Sequence, residues 1–279
     1  MDRSTTVSYA EIPGFRPLLL DLRVPPGEGP FPLVVWIHGG AFLYGDRRFL
    51  PDTVPAGSVF EALLEADMAV ATIDYRFSGE APFPAQLDDV GAALDCLRSR
   101  AGEFGLDAGR IGLWGESAGG HLAALAGLTD GGVSAVVAWY PLTDLGALDP
   151  HDPGTPMAQL LGGPPAELPA LAAAASPVSH VSASAPPFLL VHGTADEELP
   201  HSQSETLHRL LLAAGASSTF LPVEGAGHTF TGHDDVPGLI ATSVAFLARI
   251  RPGNARGAVS DHSETAPRPT TLSSRDDRI

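Results

Sequence analysis

Arg110-Ile111-Gly112-Leu113-Trp114-Gly115-Glu116-Ser117-Ala118-Gly119-Gly120-His121-Leu122-Ala123-Ala124-Leu125 is the stretch that decides the fold of this chain. An apolar run enters Gly115, and an apolar, alanine-rich run leaves Gly120. The pattern predicts a strand, a sharp turn and a helix. In that geometry a serine between two glycines is pushed out of the sheet in a strained conformation, and only glycine on either side lets strand and helix approach closely. Ser117 therefore reads as an exposed nucleophile.

Four more short apolar runs share the character of the first: Leu33 to Ile37, Ala69 to Ile73, Ala135 to Trp139 and Phe188 to Val191. Continuous apolar runs of this length fit strands covered on both faces, which implies a parallel sheet. Helical patterns lie between them. Leu87, Val90, Leu94 and Leu97 share one face, and Ser202-Gln203-Ser204-Glu205 reads as a capping box opening a helix that stops near Gly215. Leu18 to Val24 is expected as an antiparallel leading strand, and Phe220 to Val223 as the last strand before a closing helix around Ile240 to Ile250. The alternation implies a doubly wound α/β fold with helices on both faces of a mostly parallel sheet.

Residues 142–187 interrupt the alternation with prolines, glycines and the run Ala170 to Ala175. The segment is too small for a domain and is expected to form a small cap over the strand ends, where α/β sheets bind ligands. Its main apolar side chains are Leu145, Leu148, Met157, Leu160 and Leu161. Residues 1–251 are read as one domain that buries roughly three quarters of its unfolded surface. Residues 252–279 have almost no large apolar side chains and are expected to be a disordered tail.

Sixteen basic residues against 33 acidic ones give a formal charge of −17, which disfavours nucleic acid or an anionic membrane as a partner. Small neutral molecules fit best. The single cysteine, Cys96, lies among helical apolar positions and is expected as a buried thiol, so no disulfide framework is expected. The first eleven residues have no continuous apolar core, and no run of 18 apolar residues occurs, so a cytoplasmic protein is expected.

A serine hydroxyl needs a base to take its proton, and the base needs an acid to hold its tautomer. Asp196 follows the strand ending at Val191, and His228 follows the strand ending at Val223. The order Ser117, Asp196, His228 is the nucleophile, acid, base order of an α/β-hydrolase. Glu197 competes with Asp196, and His233 competes with His228. His38-Gly39-Gly40-Ala41-Phe42 follows another strand, where successive N–H groups can meet a developing negative oxygen; one such donor is worth roughly 3 kcal/mol in the transition state. His38 is read as a brace for that loop and His121 as structural. Trp139, Tyr140 and Phe42 stand near strand ends, with core and pocket-wall roles both open; Phe42 and Tyr140 are the candidate substrate contacts.

With Asp74-Tyr75-Arg76-Phe77-Ser78-Gly79-Glu80-Ala81-Pro82-Phe83-Pro84-Ala85-Gln86-Leu87-Asp88-Asp89-Val90 and Leu161-Gly162-Gly163-Pro164, these motifs carry a resemblance. Over most of residues 15–250 the chain resembles the hormone-sensitive-lipase side of the α/β-hydrolases. It is most similar to bacterial carboxylesterases of the bifunctional feruloyl and acetyl-xylan esterase-like type. The resemblance implies Ser117 as nucleophile, His228 as base, Asp196 as its partner, and Gly39, Gly40 and Ala118 as oxyanion-hole donors. Ala41 stands where lipase-like relatives often carry a third glycine, but an N–H remains. Phe77-Ser78-Gly79-Glu80 replaces the Leu-Ala-Pro-Glu of the lipase branch and favours the feruloyl-esterase-like one. The implied activity is hydrolysis of small neutral esters by a serine carboxylesterase with water as second substrate and no metal or cofactor. An arylformamidase and a non-hydrolytic binding or dehydratase relative are the alternatives.

Overall fold

Each of the five apolar runs forms a strand buried on both faces. The computed structural model describes residues 3–249, and the expectation for 252–279 falls outside them. The strands are β1 (Arg3–Ala10), β2 (Leu18–Val24), β3 (Phe31–Ile37), β4 (Ala69–Ile73), β5 (Leu106–Glu116), β6 (Ala135–Trp139), β7 (Phe188–Gly193) and β8 (Ser218–Val223). The helices are α1 (Ser58–Glu65), α2 (Ala85–Ser99), α3 (Ala101–Phe104), α4 (Ala118–Thr129), α5 (Pro156–Leu161), α6 (Pro169–Ala175), α7 (Ser202–Ala213) and α8 (Val236–Leu247).

One sheet holds all eight strands in the order β1-β2-β4-β3-β5-β6-β7-β8. β1 and β2, and β2 and β4, pair antiparallel, and the remaining neighbours are parallel. Alternate side chains of the central strands feed two cores. On one face Leu33, Val35, Leu113 and Leu190 pack with Val90 and Leu94 of α2, Leu122 of α4 and Leu207 of α7. On the other, Trp36, Trp114 and Trp139 pack with Val59 and Leu63 of α1 and Leu239 and Ile240 of α8. The parallel order brings the C-terminal ends of β3, β5, β6, β7 and β8 to one edge, where the ligand crevice of an open α/β sheet lies.

Several local expectations are corrected. The leading strand is β1, whose alternating chain buries only Val7; an edge strand with so little apolar content leaves no periodic signal. The capping box at Ser202 does not form, because His201 occupies the N-cap position without a side-chain bond. The side chains of that segment are used elsewhere: Gln203 Oε1 accepts from the Thr143 and Asp144 amides, and Ser204 Oγ meets His192. The closing helix α8 starts at Val236, earlier than expected, where the Asp235 carboxylate accepts from the Gly238 amide at 2.8 Å. Cys96 is half-buried rather than buried.

In residues 142–187, Leu145, Met157, Leu160 and Leu161 are buried in the core, and Leu148 is partly buried against it. The Phe83 amide donates to the Leu160 carbonyl, tying α5 to the body. Among the described residues, no helix is long and apolar enough to cross a membrane.

Candidate active site

The turn after β5 puts Ser117 at φ 52° and ψ −118°, a conformation that costs a non-glycine residue about 1 to 3 kcal/mol. The tight approach of β5 and α4 imposes it. A Cβ at Gly115 would strike the Gly119 backbone, and one at Gly119 would strike the Ile37 and His38 carbonyls. The Ser117 amide donates to the Trp139 carbonyl at 2.9 Å, and its carbonyl accepts from the His121 amide, so the strained residue is anchored on both sides.

Strain of the same kind surrounds it. Ala41, Phe42, Tyr140, Thr229 and Phe230 also have positive φ, in the loops after β3, β6 and β8. Non-glycine residues in this region cluster where the fold over-determines a functional geometry.

His228, in a single helical turn after β8, presents Nε2 to Ser117 Oγ at 3.1 Å and Nδ1 to Asp196 Oδ2 at 2.8 Å. Asp196, in the turn after β7, is buried; its Oδ1 accepts from the Glu198 and Leu199 amides at 3.0 and 2.9 Å. Burial alone raises the Asp196 carboxyl, but hydrogen bonds from His192, His228 and the Leu199 amide outweigh it and hold the group well below the usual carboxylate range. For His228 burial favours the neutral ring. The Asp196 bond and charge, helped by Glu198 and Glu116, outweigh burial and raise it above an ordinary imidazole. Glu197 is exposed, and His233 is half-buried in the following loop; neither enters this chain of hydrogen bonds.

The loop after β3 is built around a residue that the sequence reading passed over. Glu116, the variable position between Gly115 and Ser117, is 1% exposed, and its Oε1 accepts from the Gly39 amide. The Gly39 amide is therefore spent within the protein and leaves the implied set of Gly39, Gly40 and Ala118. The Gly40 and Ala41 amides and the first amide of α4, Ala118, have no protein acceptor among the described residues. Burial raises the Glu116 carboxyl to about 7 against the opposing pull of the Gly39 bond and His228. The signal for it was present: a carboxylate at the end of a strand buried on both faces is rare unless it has a fixed partner.

Other contacts clamp the loop. The Tyr75 hydroxyl donates to the His38 and Gly39 carbonyls at 2.9 and 3.2 Å, and the Ser78 amide donates to the Phe42 carbonyl. Arg47 reaches Asp74 with its amide and guanidinium. His38 stacks on Tyr75 at 4.4 Å, and its Nδ1 meets the Gly39 carbonyl. Burial lowers its pKa to about 4, which suits a neutral brace. His121 is buried with Nδ1 on the Leu142 carbonyl.

The two candidate substrate contacts are corrected. Phe42 and Tyr140 are 2% and 0% exposed, so neither presents a free face to a ligand. Phe42 packs edge-on against His121. Tyr140 lies beside Glu116, with its ring 4.8 Å from the His228 ring and 4.9 Å from Phe230; both aromatics shape the walls that hold the reacting groups. Among the described residues no group of three or more His, Cys, Asp or Glu side chains is placed to hold a metal ion.

A family model described as BD-FAE matches residues 20–211. Among curated proteins the chain is 31% identical over 238 residues to Esterase LipQ of Mycobacterium tuberculosis, covering 78% of this chain and 55% of that protein. It is 32% identical over 225 residues to Esterase LipC of the same organism, covering 72% and 53%. The chain thus spans about half the length of the curated relatives it matches. Among solved structures it is similar to a truncated form of a carbohydrate esterase from gut microbiota, with TM-score 0.77 and 30% identity over 88% of this chain and 95% of that one. An acetyl ester-xyloside bifunctional hydrolase from Caldicellulosiruptor lactoaceticus shares the fold, with TM-score 0.74 and 22% identity over 88% and 95%.

Proposed function

Because this chain belongs to the BD-FAE family and has the α/β-hydrolase fold, we propose that it is a serine carboxylesterase for small neutral esters. The observation that carries the reading is the unbroken run from Ser117 Oγ through His228 to Asp196, at 3.1 and 2.8 Å. His228 Nε2 takes the hydroxyl proton as Ser117 Oγ attacks the ester carbonyl, and Asp196 stabilises the imidazolium that forms. The carbonyl oxygen becomes an oxyanion, met by the N–H groups of Gly40, Ala41 and Ala118 and by the positive end of α4. His228 then returns its proton to the departing alkoxide, leaving an acyl group on Ser117. Water then adds to the acyl carbonyl as His228 takes one of its protons; the bond to Ser117 Oγ breaks, His228 returns that proton to Oγ, and the acid is released.

The charge of −17 favours neutral over anionic substrates. Residues 142–187 form a small cap in this reading, and Leu145, Met157, Leu160 and Leu161 are turned into the core, which leaves little surface to enclose a long acyl chain. Water and the ester are the only reactants required.

Mass spectrometry after a serine-directed phosphonate tests the nucleophile: one adduct is expected, on Ser117, together with loss of 4-nitrophenyl acetate hydrolysis. An adduct on another serine overturns the assignment. Faster turnover of N-formylkynurenine than of an aryl acetate overturns the choice of ester over formamide.

A further inference from the structure

Asp196 has two histidines on the same oxygen. Oδ2 lies 2.8 Å from His228 Nδ1 and 3.1 Å from Nε2 of His192, the fifth residue of β7. His192 is fully buried. Its Nε2 also lies 2.8 Å from the Leu199 carbonyl, and its Nδ1 lies 2.8 Å from Ser204 Oγ on α7. Two acceptors at Nε2 require the proton there, and Nδ1 is then free to accept from the Ser204 hydroxyl; both ring nitrogens are satisfied in the neutral Nε2–H tautomer. No step of ester hydrolysis uses this ring.

We propose that His192 is a positioning residue for the base: by donating Nε2–H to Asp196 Oδ2 it shares the carboxylate's charge, holds its plane, and limits how strongly Asp196 attracts a proton onto His228. The proposal rests on the assignment of Ser117, Asp196 and His228 made above. A carboxylate that already accepts a hydrogen bond at the same oxygen is a weaker partner for an imidazolium, so His192 acts to lower the basicity of His228. The reason to spend a buried imidazole here is the pH at which an ester hydrolase works, since the base must be neutral before it can act.

The other groups facing this pair are few. Glu198, two residues past Asp196, and Glu116, at the end of β5, both bear on His228, and the Tyr140 hydroxyl after β6 bears on Asp196. From α7 the facing group is Ser204. The Glu198 and Leu199 amides hold the other oxygen of Asp196, so removal of His192 leaves the carboxylate anchored but with one donor fewer.

The test is the titration of the His228 ring by NMR in the full chain, assigned through the signal lost in His228→Gln, alongside the pH profile of kcat/KM. In His192→Leu the His228 midpoint is expected to rise by about half to one pH unit, and the acid limb of kcat/KM to move with it. In His192→Gln, whose amide keeps a donor within reach of Asp196 and Leu199, the midpoint returns toward that of the unsubstituted chain. Should the leucine variant fail to fold, the nitrogen shifts of the unsubstituted chain decide: neutral His192 must carry its proton on Nε2. An unchanged His228 midpoint in folded His192→Leu, an equal shift in both variants, or an Nδ1–H tautomer overturns the proposal. The titration does not depend on turnover. If Ser117→Ala still hydrolyses esters while His228 shifts as expected, the proposed function falls and the coupling stands.

Discussion

The Gly39 amide and the Glu116 carboxylate, 77 residues apart in sequence, form a buried hydrogen bond that ties the loop after β3 to the residue preceding Ser117. One end of this bond sets the backbone that presents Gly40 and Ala41. The other is covalently joined to Ser117, the proposed nucleophile. A displacement of either loop is therefore transmitted to the other, and this bond acts with the Tyr75 and Ser78 contacts to hold the distance between Ser117 and the Gly40 and Ala41 amides.

Replacing Glu116 separates its geometric role from its charge. Glu116→Ala removes the acceptor, and kcat is expected to fall about a hundredfold with a small change in KM, the size of losing one oxyanion donor. Glu116→Gln keeps an oxygen for Gly39 and is expected to retain most turnover. Steady-state kinetics on 4-nitrophenyl acetate at pH 8 checks this, and equal losses in the two variants would assign the effect to charge alone.

The pH dependence of kcat/KM carries a sign. His228 is raised above its ordinary value by Asp196, Glu198 and Glu116 against the effect of burial, and it acts as a base only when neutral. Activity is therefore expected to fall as pH drops through a midpoint above about 6.5. In Glu116→Gln, which removes one of the raising charges, the midpoint moves down. Asp196→Asn is expected to lower kcat by about four orders of magnitude, because the amide favours the wrong tautomer of His228. Glu197→Gln leaves both parameters near the original.

Stability responds to pH through the same carboxylate. Glu116 is raised from its ordinary 4.5 to about 7 in the folded chain, so between these values the native state holds a proton that the unfolded state has lost. Stability falls as pH rises through this window, by up to about 3 kcal/mol from this group. His228, also raised, contributes in the same direction, so the Glu116 share is the difference between the original chain and Glu116→Gln. Asp196 acts oppositely and at lower pH: its contribution is present above its unfolded pKa and lost as pH falls through its depressed folded value. Urea denaturation at several pH values from 4 to 8 measures the Glu116 and His228 contributions, and parallel curves for the original chain and Glu116→Gln would contradict the assignment.

Acyl-chain preference follows from the burial of Leu145, Met157, Leu160 and Leu161 in the core. A methylene that meets an apolar wall gains about 0.8 kcal/mol, and one that projects into water gains nothing. Values of kcat/KM for 4-nitrophenyl esters are expected to peak at about two to four acyl carbons. Activity rising steadily to the palmitate would reveal an acyl tunnel and refute the expectation.

The sequence alone determined the architecture and the placement of Ser117, Asp196 and His228 after strand ends, because both rest on local signals. Continuous apolar runs mark strands buried on both faces whichever neighbours they take, and Gly115 and Gly119 mark a place where strand and helix must touch. Asp196 was legible because it lies a few residues past such a run, and His228 because it follows the last strand, the half-exposed β8 at the sheet edge. The tertiary structure alone decided how polar groups separated in sequence share their hydrogen bonds. It spent the Gly39 amide on Glu116, set Ser204 against His192, and closed Phe42 and Tyr140 into the walls of the site. Those outcomes depend on which donor meets which acceptor across the sheet. Apolar periodicity carries no record of that pairing, because burial is proportional to area whereas a hydrogen bond requires a particular partner at a particular distance and angle.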